Sequence, residues 1–333
     1  MENLQKILVR LKNFISMHQT NILKKINVLG DSNVDMILNL SNKKKLKDPL
    51  LFCGGSAANV ASGVSKLGLN VSFFGALGND MFGKHVIEDM ELDGIETKNI
   101  DLLDNYSTAM VIGVVEKNSQ RHLFVWPPEN GAHNKYVFTK KSHKKMLDCD
   151  WLHVSGINLR NSPTKESMLE AMKLCSEKKI TVSFDLNLRI ELWELDNEFK
   201  DLVFKAMSYS NIIFGNLKEE IIPLFNNDES SLNKYINNNQ VIVCRNGKKG
   251  ALGITRNEQI KSDAVLIEPI DSVGAGDAFN SGFIYASCVG ANIKESLETG
   301  NLVAAYKLLG SGARHLPTNE QLEEFKQKFT NNY

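Results

Sequence analysis

The chain has 333 residues, which allows one large domain or two small ones and is long enough to bury a full hydrophobic core. Its 39 lysines and arginines equal its 39 aspartates and glutamates, so no overall positive charge favours a nucleic-acid partner. No apolar run is long enough to predict a membrane span. The five cysteines form no CxxC pair, which argues against zinc and disulfides and favours a reducing compartment such as the cytoplasm.

Residues 1–25 differ from the rest of the chain. Apolar residues recur there at helical spacing, lysine and arginine lie between them, and Glu2 is the single acidic residue. We interpret the segment as an amphipathic N-terminal extension, either a helix lying on the body or a tail. A basic, acid-poor start is also compatible with an organelle-targeting peptide.

From residue 26 onward, short apolar runs alternate with helical patterns. The runs predicted as strands are 26–32, 71–78, 151–156, 180–187, 211–216 and 241–247. The predicted helices are 56–68, 81–94, 163–179, 197–210, 277–290, 292–310 and 320–329. Nearly all-apolar strands that alternate with helices predict a parallel sheet covered on both faces, with the ligand site at the carboxyl ends of the strands.

Two segments interrupt this alternation. Residues 36–52 and 107–126 have strand character without intervening helices, and the second is predicted to form a hairpin around KNSQ. Together they predict a small antiparallel flap over one edge of the main sheet.

Two glycine motifs suggest phosphate binding by familiar loops, and both depart from those loops. Residues 78–84 fit GxxxxGK, but His85 follows where a P-loop needs serine or threonine for magnesium. Residues 274–276 begin GxG, but Phe279 replaces the last glycine of a dinucleotide-binding turn. We therefore reject both a P-loop and a Rossmann site.

Residues 271–277, DSVGAGD, run directly into an apolar helix predicted to begin near Ala278. Small residues allow a ligand to approach the backbone, and free N–H groups at a helix start bind anions. Asp277 alone could be a capping residue, but capping does not explain the flanking glycines. An anion hole beside a carboxylate is the arrangement that phosphoryl transfer to an alcohol needs.

Three segments resemble the signatures of the ribokinase-like (PfkB) carbohydrate kinases: FCGGSAANVASGVSKLG, VSFFGALGNDMFG and DSVGAGDAFNSG. They occur in the family's order and spacing, and the similarity covers residues 26–320. It implies a kinase domain over 26–333, folded as a three-layer α/β/α sandwich with a mostly parallel central sheet and a small antiparallel β lid. It also implies ATP and Mg²⁺, a small sugar substrate, a monovalent cation such as K⁺, and a homodimer formed through the lid.

The resemblance also assigns residues of the acceptor side. Asp277 matches the family's catalytic base, and its anion hole corresponds to Gly274, Ala275 and Gly276. The positions that match sugar-binding residues are Asp35, Gly54, Gly55 and Asn59. The glycine pair could instead simply open the turn before the next helix.

On the nucleotide side, Asn216 and Glu219 match an NxxE motif that organises magnesium and phosphate, with Glu219 acting through water. The positions matching the nucleotide-binding turn are Arg245, Asn246, Gly247, Lys248 and Gly250. Asn301 falls where the family packs a helix against adenine, although it could be a plain helix residue. Asp271 and Val273 resemble a monovalent-cation loop.

The segment VSFDLNLRIELW resembles the fructokinase and 2-keto-3-deoxygluconate kinase branch. In keto-acid kinases the residue matching Arg189 faces the substrate carboxylate, and a guanidinium suits that group. Those kinases add a Tyr/Arg contact from the lid, whereas residues 124–129 contain no arginine. The acceptor therefore stays open among a hexose, a ketose and a sugar acid, with a nucleoside as a further alternative.

Two other function classes remain as alternatives. A catalytically silent, sugar-sensing relative should have lost Asp277, a glycine of the GAG turn or Glu219, and all of these are present. An NAD-dependent oxidoreductase would need an early GxGxxG, which the sequence lacks.

Overall fold

A computed structural model describes residues 24–39, 49–115, 121–127, 130–226 and 232–330. Most of the predicted extension, part of the first lid segment and the KNSQ turn lie outside these residues. The strands are β1 Lys25–Leu29, β2 Asn33–Asn39, β3 Leu50–Gly54, β4 Asn70–Gly78, β5 Glu96–Leu103, β6 Met110–Val115, β7 Arg121–Trp126, β8 Trp151–Ser155, β9 Thr181–Asp185, β10 Ile212–Asn216, β11 Val241–Arg245, β12 Ala251–Ile254 and β13 Gln259–Ser262.

The main sheet has the strand order β13-β12-β11-β10-β9-β8-β1-β4-β5. The strands from β11 to β5 are parallel, and the β12–β13 hairpin adds two antiparallel strands at one edge. All six predicted central strands are present. The parallel arrangement brings their carboxyl ends to one side of the sheet, where ligands bind in open α/β folds.

Helices cover both faces of this sheet. They are α1 Ser56–Lys66, α2 Met81–Leu92, α3 Lys140–Met146, α4 Thr164–Glu177, α5 Asn197–Ser208, α6 Ile222–Leu224, α7 Leu232–Tyr235, α8 Ala275–Cys288, α9 Ile293–Leu308 and α10 Asn319–Thr330. Within the described ranges, no helix combines the length and apolarity that crossing a membrane requires.

The core is divided by the sheet into two layers, as the alternation of side chains along β11 illustrates. Val241 and Val243 pack with residues of α1, α8 and α9. Ile242 between them points to the other face and packs with residues of α4 and α5. Because successive strand residues face opposite sides, one apolar strand serves both layers. The predicted three-layer α/β/α sandwich is confirmed.

The lid is a second, four-stranded sheet with the order β3-β2-β6-β7. Its outer pairs, β2–β3 and β6–β7, are antiparallel as predicted, whereas the central strands β2 and β6 run parallel. The two antiparallel pairs come from separate parts of the chain, and the sequence could not indicate the direction in which they join.

Candidate active site

The glycine-rich turn leads into α8 at the carboxyl side of the main sheet. Helix α8 begins at Ala275, three residues before the predicted start near Ala278. Gly274 precedes it in a left-handed conformation with φ +78°. A Cβ at Gly274 would lie 2.7 Å from the Ala313 Cβ, so both the conformation and the close packing require glycine.

The N–H groups of the predicted anion hole differ in the acceptors they already have. The N–H of Ala275 donates to the carbonyl of Ser272 at 3.2 Å, so it is already used within the turn. The N–H groups of Gly276 and Asp277 belong to the first helical turn, where no intrahelical acceptor exists. Gly276 and Asp277 therefore each offer an N–H group to an anion at the start of α8.

The carboxylate of Asp277 lies between α8 and the start of α1. It accepts hydrogen bonds from Ser56 Oγ (2.8 Å) and Asn59 Nδ2 (2.9 Å). The pKa of Asp277 is raised from 3.8 to about 7, chiefly because the carboxylate is buried and in part because of the negative charge of Asp185. The bonds from Asn59 and Ser56 and the charge of Arg189 act in the opposite direction. An aspartate with this pKa can both accept and release a proton near neutral pH.

Asp31 is not among the predicted site residues, yet it fixes the start of α1. Its carboxylate accepts from the N–H groups of Ser56 (2.7 Å) and Ala57 (3.2 Å). Gly55 precedes the helix with φ +99°, and a Cβ there would lie 2.6 Å from the carbonyl oxygen of Asp31. The glycine therefore lets Asp31 hold Ser56 in position for its bond to Asp277.

Asp35 lies on β2 beside the glycine pair. Asn33 Nδ2 donates to its Oδ1 at 2.6 Å, and a side chain at Gly54 would collide with its carboxylate. The pKa of Asp35 is raised to about 6 because burial outweighs the lowering effects of the Asn33 bond and of the Arg314 and Arg189 charges. The predicted sugar-binding residues Asp35 and Gly54 are thus in contact.

Arg314 connects the two carboxylate sites, a role that no local sequence motif indicates. Its Nε donates to Asn59 Oδ1 (3.2 Å), and its Nη atoms contact Gly54 O (3.4 Å) and the carboxylate of Asp89. Asn59 thereby accepts from Arg314 and donates to Asp277, which fixes the orientation of its amide. The four positions matched to sugar-binding residues all lie around the start of α1.

Arg189 lies on the loop after β9, in a strained backbone conformation. Both Asn187 (φ +41°) and Arg189 (φ +49°) have positive φ, which is unusual for residues other than glycine. Asn187 Nδ2 donates to Ser155 Oγ at 3.1 Å. The Arg189 side chain is 48% exposed, and its charge acts on both Asp35 and Asp277. Arg189 is therefore a half-exposed cation whose charge reaches the two carboxylates, with its Nη1 atom 3.8 Å from Glu191 Oε1.

Arg245 does not join the exposed turn that follows it. Its guanidinium forms a bidentate pair with Asp185 (Nη2–Oδ1 2.8 Å, Nη1–Oδ2 3.1 Å) and contacts Glu220 at 3.4 Å. It also donates to Asn280 Oδ1 at 2.8 Å and to Gly276 O at 3.4 Å. This buried cluster connects the ends of β9 and β11 to the first turn of α8. The Arg245 side chain therefore supports the anion hole from the core side of that turn.

The predicted metal and phosphate motif forms the turn after β10. Asn216 Oδ1 accepts from the N–H groups of Lys218 (3.0 Å) and Glu219 (3.1 Å), and so caps the π-helical turn Leu217–Ile221. Glu219 is exposed. Its neighbour Glu220 is buried and accepts from the N–H groups of Asn216 (2.6 Å) and Leu188 (2.8 Å). The motif thus offers one solvent-facing carboxylate, Glu219.

The remaining predicted nucleotide residues lie beside this turn. Asn246 N donates to Gly250 O at 2.8 Å, which closes a short turn that exposes Gly247 and Lys248. A Cβ at Gly250 would collide with Ser262 O, so glycine is required there. Asn301 is buried, and its amide donates to Ser262 Oγ (2.9 Å) and Asp263 O (3.1 Å). Asn301 therefore fastens α9 to the segment after β13.

A lysine side chain from α9 reaches the predicted monovalent-cation loop. The Lys307 Nζ atom donates to the main-chain carbonyl of Asp271 at 2.6 Å. Val273 N donates to the carboxylate of the same aspartate at 3.0 Å. Among the described residues, no cluster of three or more His, Cys, Asp or Glu side chains could hold a metal ion by itself. A single exposed carboxylate at Glu219 fits Mg²⁺ that arrives with phosphates and keeps its waters.

Two curated relatives cover almost the whole chain. A 5-dehydro-2-deoxygluconokinase from Clostridium botulinum (strain Eklund 17B / Type B) is 27% identical over 303 residues, covering 88% of each chain. A fructokinase from Vibrio alginolyticus is 28% identical over 312 residues, covering 90% of this chain and 97% of that protein.

A solved structure has the same fold. It is a fructokinase double mutant from Vibrio cholerae O395 in a form with bound fructose, ADP and potassium ion, 26% identical, with a TM-score of 0.78. The alignment covers 92% of this chain and 99% of that one. The family described as pfkB family carbohydrate kinase matches residues 23–320. The chain therefore belongs to the pfkB family of carbohydrate kinases, which confirms the predicted class of enzyme.

Proposed function

We propose that this kinase transfers the γ-phosphate of ATP to a primary hydroxyl of a hexose, a ketose or a sugar acid. The observation that carries the proposal is the position of Asp277, a carboxylate with a raised pKa in the first turn of α8. A base within one turn of an anion-binding helix start can meet an attacking hydroxyl and the transferred phosphoryl group together.

The raised pKa makes Asp277 a better base than an ordinary aspartate. An aspartate at its reference pKa of about 3.9 lies roughly 12 units below a water-like alcohol, a gap of about 16 kcal/mol. Because burial raises the pKa of Asp277 to about 7, the gap narrows to roughly 9 units, or about 12 kcal/mol. Asp277 therefore orients the hydroxyl and takes its proton late, as the bond to phosphorus develops.

The N–H groups of Gly276 and Asp277 bind the developing charge on the phosphoryl oxygens. Glu219, with Asn216 shaping its turn, would hold Mg²⁺ through water, and the bound ion would neutralise phosphate charge. Lys248 lies on an exposed turn where it can approach the nucleotide phosphates. The loop that Asn301 fastens borders the adenine of the nucleotide. Asn246, Gly247 and Gly250 shape this turn.

Asp35, Asn59 and Arg189 hold the acceptor, and Gly54 and Gly55 leave room for it. A carboxylate suits sugar hydroxyl donors, whereas the Arg189 guanidinium suits either a hydroxyl or a substrate carboxylate. Relatives named for a keto sugar acid and for fructose are about equally similar to this chain. The acceptor that we propose is therefore either a ketohexose or a keto sugar acid.

The test is an ADP-release assay with Mg-ATP and a panel of fructose, 5-dehydro-2-deoxygluconate, 2-keto-3-deoxygluconate and adenosine. Arg189→Gln should raise KM about 10- to 100-fold for a carboxylate acceptor, the loss expected for a charged hydrogen bond. For a neutral ketose we expect less than about 10-fold. Arg256→Gln, at an exposed arginine, is the matched control. Turnover of adenosine alone would favour a nucleoside kinase, and no turnover with ATP bound would favour a silent relative.

We also propose a homodimer that forms through the lid. The strand register puts Leu51, Phe124 and Trp126 on one face of the lid sheet, where they are 45%, 57% and 60% exposed, and exposed apolar surface of this kind marks interaction sites. Sedimentation velocity should detect a dimer that Trp126→Glu dissociates. The matched control is Leu92→Glu, at an apolar residue on α2 that is 88% exposed. A monomeric wild-type chain would contradict this proposal.

A further inference from the structure

Lys307 is a fully buried lysine near the end of α9, with 0% of its surface exposed. Its Nζ donates to the carbonyl oxygen of Asp271 at 2.6 Å and lies 3.5 Å from the carbonyl oxygen of Gly310. A buried ammonium is unfavourable unless oxygen atoms replace its water. These two main-chain oxygens belong to different loops, so the lysine links them.

The two loops are also joined by direct contacts. The carboxylate of Asp271 accepts from Val273 N (3.0 Å) and Gly312 N (3.0 Å). Gly274 packs so closely on Ala313 that a Cβ would not fit. The first loop continues directly into the anion hole at the start of α8. The position of the Lys307 ammonium therefore influences the position of the groups that bind phosphate.

The residues at this loop do not fit a potassium ion. Main-chain carbonyls beside an aspartate could bind a monovalent cation, which is why Asp271 and Val273 suggested one in the sequence. Here the ammonium of Lys307 already lies on the Asp271 carbonyl, and it carries the same unit charge. A second cation beside it would be repelled at short range in a poorly solvated site.

We propose that Lys307 is a positioning residue whose ammonium takes the place of a monovalent cation at the 271–274 and 310–313 loops. The kinase is then independent of potassium, unlike an enzyme whose loop must recruit the ion from solution. This inference rests on the proposed phosphoryl transfer only for the tests that measure turnover. It concerns stability equally, because the two loops belong to the folded core around α8 and α9.

The first test uses the wild-type chain in KCl, NaCl and tetramethylammonium chloride at equal ionic strength. We expect one thermal midpoint in all three salts, to within about 1 °C, and turnover that changes less than about twofold. A saturable rise of the midpoint by about 4 °C in KCl alone would overturn the proposal, since binding to the folded state raises stability. This measurement is valid even if none of the tested sugars is phosphorylated.

The second test removes the lysine. Lys307→Ala should lower turnover about 10- to 100-fold in tetramethylammonium chloride through displacement of the anion hole. KCl or methylammonium chloride should restore much of that loss and raise the variant's thermal midpoint. Lys294→Ala is the matched control, because Lys294 lies on the same helix with 65% of its side chain exposed. A Lys307→Ala variant that keeps full turnover in every salt would overturn the proposal.

Failure of the proposed role of Lys307 can be distinguished from failure of the proposed acceptor. If Lys307→Ala does not fold in tetramethylammonium chloride, it is refolded in KCl. Refolding in KCl tests whether K⁺ can replace the missing Lys307 ammonium. Recovery of the folded state in KCl supports the proposal, and failure to recover there contradicts it. If wild type and variant respond to salts as expected but no sugar is phosphorylated, the proposed acceptor is wrong while the role of Lys307 stands.

Discussion

The carboxylates on the two sides of the first turn of α8 have different hydrogen-bond partners. On the core side, Asp185 is paired with the guanidinium of Arg245 and also accepts from Asn280 Nδ2 at 2.8 Å. On the acceptor side, Asp277 accepts from the neutral groups of Ser56 and Asn59. Both aspartates lie within one small region of the fold. Among the residues that the structure describes, a cationic side chain donates a hydrogen bond to Asp185 but none does so to Asp277.

This difference separates a structural carboxylate from a chemical one. A carboxylate paired with a buried guanidinium holds neighbouring elements together, because removing either partner leaves a buried charge. A carboxylate that is buried without direct contact to a cation has a raised pKa and can exchange its proton. The fold thus builds a rigid support of opposite charges beneath the anion hole and leaves the reactive group above it less strongly stabilised.

The largest expected effect comes from neutralising Asp277. We expect Asp277→Asn to fold and to lose on the order of 10²–10⁴ in kcat, because the proton acceptor is lost. The measurement is steady-state turnover at saturating acceptor, with circular dichroism to verify the fold. Asp201→Asn, at an exposed aspartate on α5, is the control. Near-normal turnover by Asp277→Asn would remove Asp277 from the mechanism.

The second effect concerns stability and comes from the other side of the turn. Arg245→Met leaves Asp185 and Glu220 buried without their cation, and breaking a buried pair in this way costs about 3–5 kcal/mol. Urea unfolding of the full chain measures the loss. Arg256→Met, at an exposed arginine, should change stability by less than about 0.5 kcal/mol. A similarly small loss for Arg245→Met would mean that the cluster is not the support inferred here.

A third prediction uses the pH dependence of stability. Because burial raises the pKa of Asp277 to about 7, the folded state binds a proton between about pH 4 and pH 7 that the unfolded chain releases. The stability that this proton contributes is present at low pH and is lost as the pH rises through about 7. Asp277→Asn lacks this loss, so it should be more stable than wild type at pH 8 by about 1–3 kcal/mol.

Urea unfolding at pH 5 and pH 8 makes this comparison, since the stability difference between the two proteins should shrink at the lower pH. Asp201→Asn should show no such change with pH. A variant that is less stable than wild type at pH 8 would mean that the Asp277 carboxylate strengthens the fold, and the contrast with Asp185 would no longer hold.

Much of the fold could be predicted from the sequence because the central strands bury both faces. Strand β11 is apolar along nearly its whole length, which is recognisable without knowledge of its neighbours. Edge strands β5 and β13, with sequences ETKNIDLL and QIKS, mix polar and apolar residues and were not predicted. Their formation depends on pairing with β4 and β12, which the local sequence does not encode.

The site shows the same limit. Asp277 and Asn59 could be chosen because they lie in recognisable motifs, and the structure brings them within 2.9 Å. Arg314 is 255 residues from Asn59, and no local pattern indicates their contact. Arg245 was assigned with its neighbours in the turn, but the end of β11 directs its side chain into the core. The sequence locates the motifs, while the partners of each charge emerge only from the packing.

The smallest expected effect tests the neutral partners of Asp277. The bond from Asn59 lowers the pKa of this carboxylate, so Asn59→Ala should move the acidic limb of the kcat profile to higher pH by up to about one unit. Ser56→Ala should move the limb in the same direction but less, because its hydrogen bond contributes less to the lowering. Turnover on the alkaline plateau should fall far less than it does in Asp277→Asn. A limb that moves to lower pH, or that stays in place in both variants, would mean that a group other than Asp277 controls the pH dependence of phosphoryl transfer.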